Sequence, residues 1–223
     1  DELENRKDLR GLLTVTIDGD DAKDFDDAIS IVKNEKGYLL YVHIADVSHY
    51  VKENSALDQE AYLRGNSIYV CDRVVPMLPF DLSNGICSLN PNVDRLTITC
   101  AMQVDEKGNL LTYNVFPSVI HSDKRCTYKK VNACLNGDEI ILEEYSEVKD
   151  LLYTLESLAK LLKKQSHNRG CIDFNTKEAK IIMDKNGYPV DVKVLERGFA
   201  EQMIEECMIL ANVCVAHHMH VNK

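Results

Sequence analysis

The 223-residue chain has no run of about 18 apolar residues, so nothing in it reads as a membrane-spanning helix. It also lacks a basic start. Asp1-Glu2-Leu3-Glu4 is the opposite of a signal peptide's opening, and a soluble, cytoplasmic protein is expected. Its eight cysteines include no C-x-x-C pair. Cys71, Cys87, Cys100, Cys126, Cys134, Cys171, Cys207 and Cys214 are scattered, mostly within apolar runs. That suits free thiols filling a core in a reducing compartment, rather than zinc ligands or disulfides. His217-His218-Met219-His220 would serve a transition metal only from an exposed helix end, and no cysteine or carboxylate spacing completes such a site. Internal repeats, low-complexity tracts and linkers are missing too. With 45% hydrophobic and 28% charged residues, this length supports one substantial core and at most a subdomain.

What the chain has in excess is acid in one place. Asp18, Asp20, Asp21, Asp24, Asp26 and Asp27 put six carboxylates into ten residues, straight after the apolar run Leu12-Leu13-Thr14-Val15-Thr16-Ile17. Two carboxylates about 4 Å apart repel by roughly 4 kcal/mol at an effective dielectric near 20. Charge-rich segments are commonly solvated loops, and that reading stays open. Phe25 and Ala28 interrupt the acids, however, and Ala28-Ile29-Ser30-Ile31-Val32 resumes a strand pattern at once, which puts the cluster inside a core. Acids so placed need a positive partner, and carboxylate oxygens suit a hard cation, Mg²⁺ first and Mn²⁺ second. An EF-hand from Asp18 would require Gly and Glu where Lys23 and Ile29 stand. An aspartic protease would require D-[TS]-G, which is absent. A haloacid dehalogenase-like phosphotransferase, with D-x-D-x-[TV], is missed by one residue at Ala22 and is disfavoured by the antiparallel rather than βαβ layout, yet stands as the enzyme rival.

Strands are expected at Leu12–Ile17, Ala28–Lys33 and Tyr38–Ala45, the last two joined through Asn34-Glu35-Lys36-Gly37. Ser55–Leu63 reads as a helix capped by Ser55 and stopped by Gly65. A long antiparallel pair is expected at Arg95–Val104 and Leu110–Ser122, and a third hairpin joins Ala179–Asp184 to Pro189–Glu196. Between residues 147 and 164, Val148, Leu151, Leu152, Leu155, Leu158, Ala159 and Leu162 recur at helical spacing. Lys160, Lys163 and Lys164 near its end suit the helix dipole better than an RNA patch. A last helix runs from about Ala200 to His220. Three hairpins without room for crossover helices predict an α+β fold, mostly antiparallel, with packed helices.

Asp8-Leu9-Arg10, Thr16–Ala28, His43-Ile44-Ala45-Asp46-Val47, Pro76-Met77-Leu78-Pro79, Leu82–Pro91, Asp94-Arg95-Leu96, Thr127–Val131 and Ile204–Asn212 follow one another along the chain. In that order they resemble the RNB catalytic domain of the ribonuclease II/ribonuclease R exoribonucleases. The wording is nearer the ribonuclease R branch. The resemblance implies that Asp18, Asp24, Asp26 and Asp27 are catalytic and hold Mg²⁺, with Asp26 the indispensable one, while Asp20 and Asp21 are supporting acids. It implies processive 3′-to-5′ hydrolysis of single-stranded RNA to nucleoside 5′-monophosphates by a monomer. Tyr69 and Phe174 match aromatics that stack bases. Tyr128 and Glu205 match a pair that senses the terminal ribose, with Glu206 the neighbouring alternative. It further implies that residues 1–223 are the N-terminal two thirds of such a domain. Cold-shock-type domains would precede it, an S1 domain would follow, and a phosphate-binding arginine would lie downstream. An inactive RNA-binding RNB module is the non-enzyme alternative.

The net charge of −10 runs against RNA binding, which draws most of its affinity from Lys and Arg. Acids neutralised by metal and basic surfaces outside this chain would reconcile the two.

Overall fold

The computed structural model describes residues 2–71, 73–172, 178–195 and 197–222. The elements in chain order begin with β1 (Lys7–Asp8), β2 (Val15–Asp18), β3 (Asp27–Asn34), β4 (Gly37–Ala45), α1 (Val47–Tyr50) and α2 (Ala56–Arg64). A small ribbon, β5 (Ile68–Tyr69) and β6 (Val74–Val75), and a π-helical turn at Asp81–Ile86 follow. Next come β7 (Asp94–Val104), β8 (Leu110–His121), β9 (Lys124–Thr127), α3 (Tyr128–Leu135), α4 (Glu139–Glu144) and α5 (Lys149–Asn168). The ribbon β10 (Glu178–Met183) and β11 (Pro189–Leu195) leads to α6 (Phe199–Val221).

Seven strands form one sheet in the order β1-β8-β7-β4-β3-β2-β9. Its interior pairs are antiparallel, and the two outermost, β1 with β8 and β2 with β9, are parallel. The α+β, mostly antiparallel expectation is met. A doubly wound parallel sheet, which the phosphotransferase reading needs, is not what this chain builds.

The period-two alternation of the strands sorts their side chains onto two faces. Ile29, Ile31, Leu40, Val42, Cys100 and Met102 face the main core, where the buried stripe of α5 meets them together with α3 and α6. That stripe is Leu151, Leu152, Leu155, Leu158, Ala159 and Leu162, as the helical spacing predicted. The opposite face is closed by a smaller core of Leu9, Phe25, Ala28, Ala45, Leu89 and Ile120. The same face carries a buried polar row. Thr14 Oγ1 bonds Ser30 Oγ (2.7 Å), which bonds His43 Nε2 (3.0 Å); His43 Nδ1 bonds Thr99 Oγ1 (2.7 Å), and Thr99 meets Ser118 (2.5 Å). Every member satisfies the next, which is the condition for burying hydroxyls without a desolvation penalty.

The first strand begins later than its apolar run suggests. Leu12 and Leu13 lie in a turn in which Leu12 N donates to Leu9 O (3.0 Å), and Thr14 N is taken by Asp123 Oδ2 (2.7 Å). Ser55 caps α2 and Gly65 ends it, as expected. α3, α4, the π-helical turn and the β5–β6 ribbon are additions to the sequence reading, each too short for a periodic signal. The cysteine reading holds for six thiols and fails for Cys71 and Cys171, which are exposed. His217 is engaged by the Tyr113 hydroxyl at Nδ1 (2.7 Å). Lys160 serves its own helix by pairing with Glu156 (2.7 Å). No described helix is long and apolar enough to cross a membrane.

Candidate active site

β2 ends in Asp18 and β3 begins with Asp27, so the acidic loop crosses one end of the sheet. The parallel pairing of β2 with β9 sets Asp18 opposite Thr127, the N-cap of α3, and so beside Tyr128. The loop between is pinned at several points. Ser88 Oγ accepts from Phe25 N (2.9 Å) and donates to Lys23 O (3.1 Å), bracketing Asp24. Leu89 N donates to Phe25 O (2.8 Å), and Ala45 N donates to Asp26 O (2.9 Å). Arg125 Nη2 donates to Asp20 O (2.7 Å) while its guanidinium lies 5.1 Å from the centre of the buried Phe25 ring. Burying Phe25 beneath the loop turns the acids on either side outward, and the sequence break at Phe25 has this physical meaning.

The four aspartates share one electrostatic environment. Desolvation raises the Asp18 pKa and the charge of Asp24 adds to it, against the Gly19 N–H and the Arg125 charge, which lower it. Asp26 opens to solvent yet is raised by desolvation and then by Asp24 and Asp18. Asp27 is pushed up to about 6, by burial first and then by Asp18 and Asp26. Tyr128 is raised to about 12 by burial and by the charges of Asp18, Asp27 and Glu201. All donors here are carboxylate oxygens, the set that suits a hard divalent cation. Among the described residues, no three His, Cys, Asp or Glu side chains are already gathered as a metal would gather them. The donor chemistry fits the cation; the carboxylates as placed do not close around one point.

A cavity of about 1200 Å³ opens on the Asp18 side of the loop, with Tyr128, Lys129, Lys180, Arg197 and Glu205 on its walls. Asp24, Asp26, Asp27 and Tyr69 are not among its lining residues. Tyr69 stands 66% exposed across the loop and donates its hydroxyl to Asp24 Oδ2 (3.1 Å). Phe174 lies outside the described residues. Glu205 reaches the cavity and pairs with Arg197 (3.2 Å). Glu206 turns away from it, raised by desolvation and the Glu205 charge against Lys163, Arg169 and His167. Asp21 pairs with Lys180 of β10 (2.6 Å), and the backbone carbonyl of Asp20 accepts from Arg125 (2.7 Å). The sequence reading missed Ser88, Arg125, Lys180 and Arg197. The first sat inside a quoted motif and the second beside one, but neither Lys180 nor Arg197 carried a local signal.

A largely antiparallel sheet with aspartates crowded at one end, beside a deep cavity, is an architecture that comparison resolves. Residues 6–223 match the RNB domain, and the chain belongs to that family. Ribonuclease R of Thermotoga maritima is 55% identical over 217 residues, covering 96% of this chain and 30% of that protein. Mycoplasma genitalium RNase R, solved in complex with ribose-methylated single-stranded RNA, superposes with a TM-score of 0.90 at 38% identity, over 98% of this chain and 34% of that one. Yeast Ssd1, a pseudonuclease, shares the fold alone, with a TM-score of 0.64 at 19% identity over 75% of this chain and 20% of its own. The chain thus spans about a third or less of these relatives, and the family resemblance read from its motifs is borne out.

Proposed function

We propose that the intact protein is a divalent-metal-dependent exoribonuclease that hydrolyses RNA processively from a single-stranded 3′ end to nucleoside 5′-monophosphates. The observation that carries this is the placing of Asp18, Asp24, Asp26 and Asp27 on one loop at one end of the sheet. There Asp18, Asp26 and Asp27 are raised by burial and then by neighbouring carboxylate charge, with Asp18 on the wall of a cavity that also carries basic side chains. The RNA named for the Mycoplasma genitalium relative supports the substrate class. The four aspartates would hold Mg²⁺ or Mn²⁺. Bound there, the metal supplies an activated water and stabilises the leaving 3′-oxygen.

The chain's own groups do the rest. Lys129, Lys180 and Arg197 give the cavity wall the positive charge that a phosphate backbone requires. Tyr128 and Glu205 present a hydroxyl and a carboxylate toward a terminal 2′-hydroxyl. Tyr69 and Phe174 offer faces on which bases stack without regard to sequence. Domains elsewhere in the intact protein, cold-shock-type and S1, would supply the basic grip that a net charge of −10 withholds, and a downstream arginine would contact the phosphate. A monomer acting in the cytoplasm completes the reading.

Ssd1 shows that the fold by itself does not establish catalysis, so the aspartates must be tested. Asp26→Asn keeps size and one oxygen but removes the charge that holds metal. In the intact protein it is expected to lower single-turnover cleavage by at least about 10³, near 4 kcal/mol, with the RNA Kd changed only a few fold. Cleavage at the wild-type rate would refute the assignment. Collapse of binding would move Asp26 to substrate capture.

A further inference from the structure

Tyr128 opens α3 and Glu205 lies in the second turn of α6, so their spacing depends on how the two helices are fastened together. α6 starts after Gly198, which has no side chain to offer the unsatisfied N–H groups of the first turn. Asn132, one turn beyond Tyr128, caps α6 from across the interface. Its Oδ1 accepts from Ala200 N (2.9 Å), and its Nδ2 donates to Glu201 Oε2 (3.0 Å). The same Glu201 oxygen accepts from Gly198 N (3.0 Å). Beneath this knot Val131, Cys134, Ala200, Met203 and Ile204 are buried, so the helices meet without slack.

Gly198 is required for room rather than for backbone freedom. Its φ of −91° and ψ of −168° suit any residue, but a β-carbon would stand 2.6 Å from Asn132 Oδ1. Asn132, Gly198 and Glu201 line the same cavity as Tyr128 and Glu205.

We infer that Asn132, Gly198 and Glu201 form a lock that registers α3 against α6 and so sets the sugar selectivity of the site. All three are positioning residues, acting through Tyr128 and Glu205; the inference rests on that pair reading the terminal ribose. In this role Glu201 needs only an acceptor oxygen, which a glutamine amide also supplies. A metal ligand or a general acid would need the carboxylate itself.

The test uses the intact protein and matched oligonucleotides ending in a ribonucleotide or a 2′-deoxyribonucleotide. Single-turnover cleavage, the thermal midpoint and the Mg²⁺ half-saturation are measured for each variant. Asn132→Ala and Gly198→Ala are each expected to lower ribo-over-deoxy selectivity by at least roughly tenfold while leaving the Mg²⁺ half-saturation unchanged. Their combination should cost no more than either alone, since both break one lock. Glu201→Gln, which is isosteric and should fold, is expected to keep wild-type selectivity. Unchanged selectivity in both alanine variants overturns the inference, as does loss of selectivity or cleavage in Glu201→Gln. An equal loss on both ends with a lowered midpoint marks a role in stability only and also overturns it. Wild-type selectivity in a Tyr128→Ala/Glu205→Ala control would instead defeat the reading of the ribose-sensing pair.

Discussion

His43 and Asp27 show how burial acts on single residues in opposite directions. His43 is fully buried within the hydroxyl row, and burial lowers its pKa from 6.5 to about 3. Between those values the unfolded chain binds a proton that the folded chain refuses, so this residue makes stability fall as pH falls below about 6.5. Asp27, raised from 3.8 to about 6, works the other way: the folded state takes up its proton first, and stability rises as pH falls through about 6. The two windows overlap, so the useful quantity is a difference between variants. In metal-free urea unfolding from pH 7 to 5, His43→Gln is expected to lose less stability on acidification than the wild type. Parallel pH profiles for the two proteins would mean that His43 is not held neutral.

At the scale of elements, two substitutions separate packing from backbone constraint. Leu155 sits in the buried stripe of α5 with no exposure, and Leu155→Ala should cost about 2–5 kcal/mol through lost burial and a residual cavity. Gly37 ends the β3–β4 turn at a φ of +118°, with the carbonyl carbon of Asp105 only 2.8 Å from where a β-carbon would stand. Gly37→Ala therefore meets both strain and a clash against the β7–β8 turn, and a loss of at least about 2 kcal/mol is expected. Chemical denaturation of each variant measures both. A near-neutral Gly37→Ala would show that the two hairpin turns can separate freely.

The whole molecule carries its net charge unevenly, with carboxylates at one end of the sheet raised by burial and then by their neighbours' charge. A cation binding only the folded state would stabilise it by mass action and relieve that repulsion. Saturating Mg²⁺ or Mn²⁺ is thus expected to raise the thermal midpoint of the protein, and to do so less in Asp26→Asn. An unchanged midpoint at saturating metal would count against a metal site among the aspartates.

The antiparallel hairpins, the α5 stripe, the acidic loop and the family are legible in the chain alone, because each is written in local periodicity or contiguous wording. Leu151, Leu155 and Leu158 announce their face at helical spacing, and Phe25 announces that the loop turns over a core. What surrounds the acids follows from the folded arrangement. Ser88 lies 64 residues from Asp24, and Arg125 is 105 residues from Asp20, yet both hold the loop. The same holds for Glu205 against Glu206. Adjacent in sequence, they differ by about 100° around the helix, and only the docking of α6 on α3 decides which of them reaches the cavity. Such pairings depend on strand order and helix docking, long-range contacts that leave no local trace in the chain.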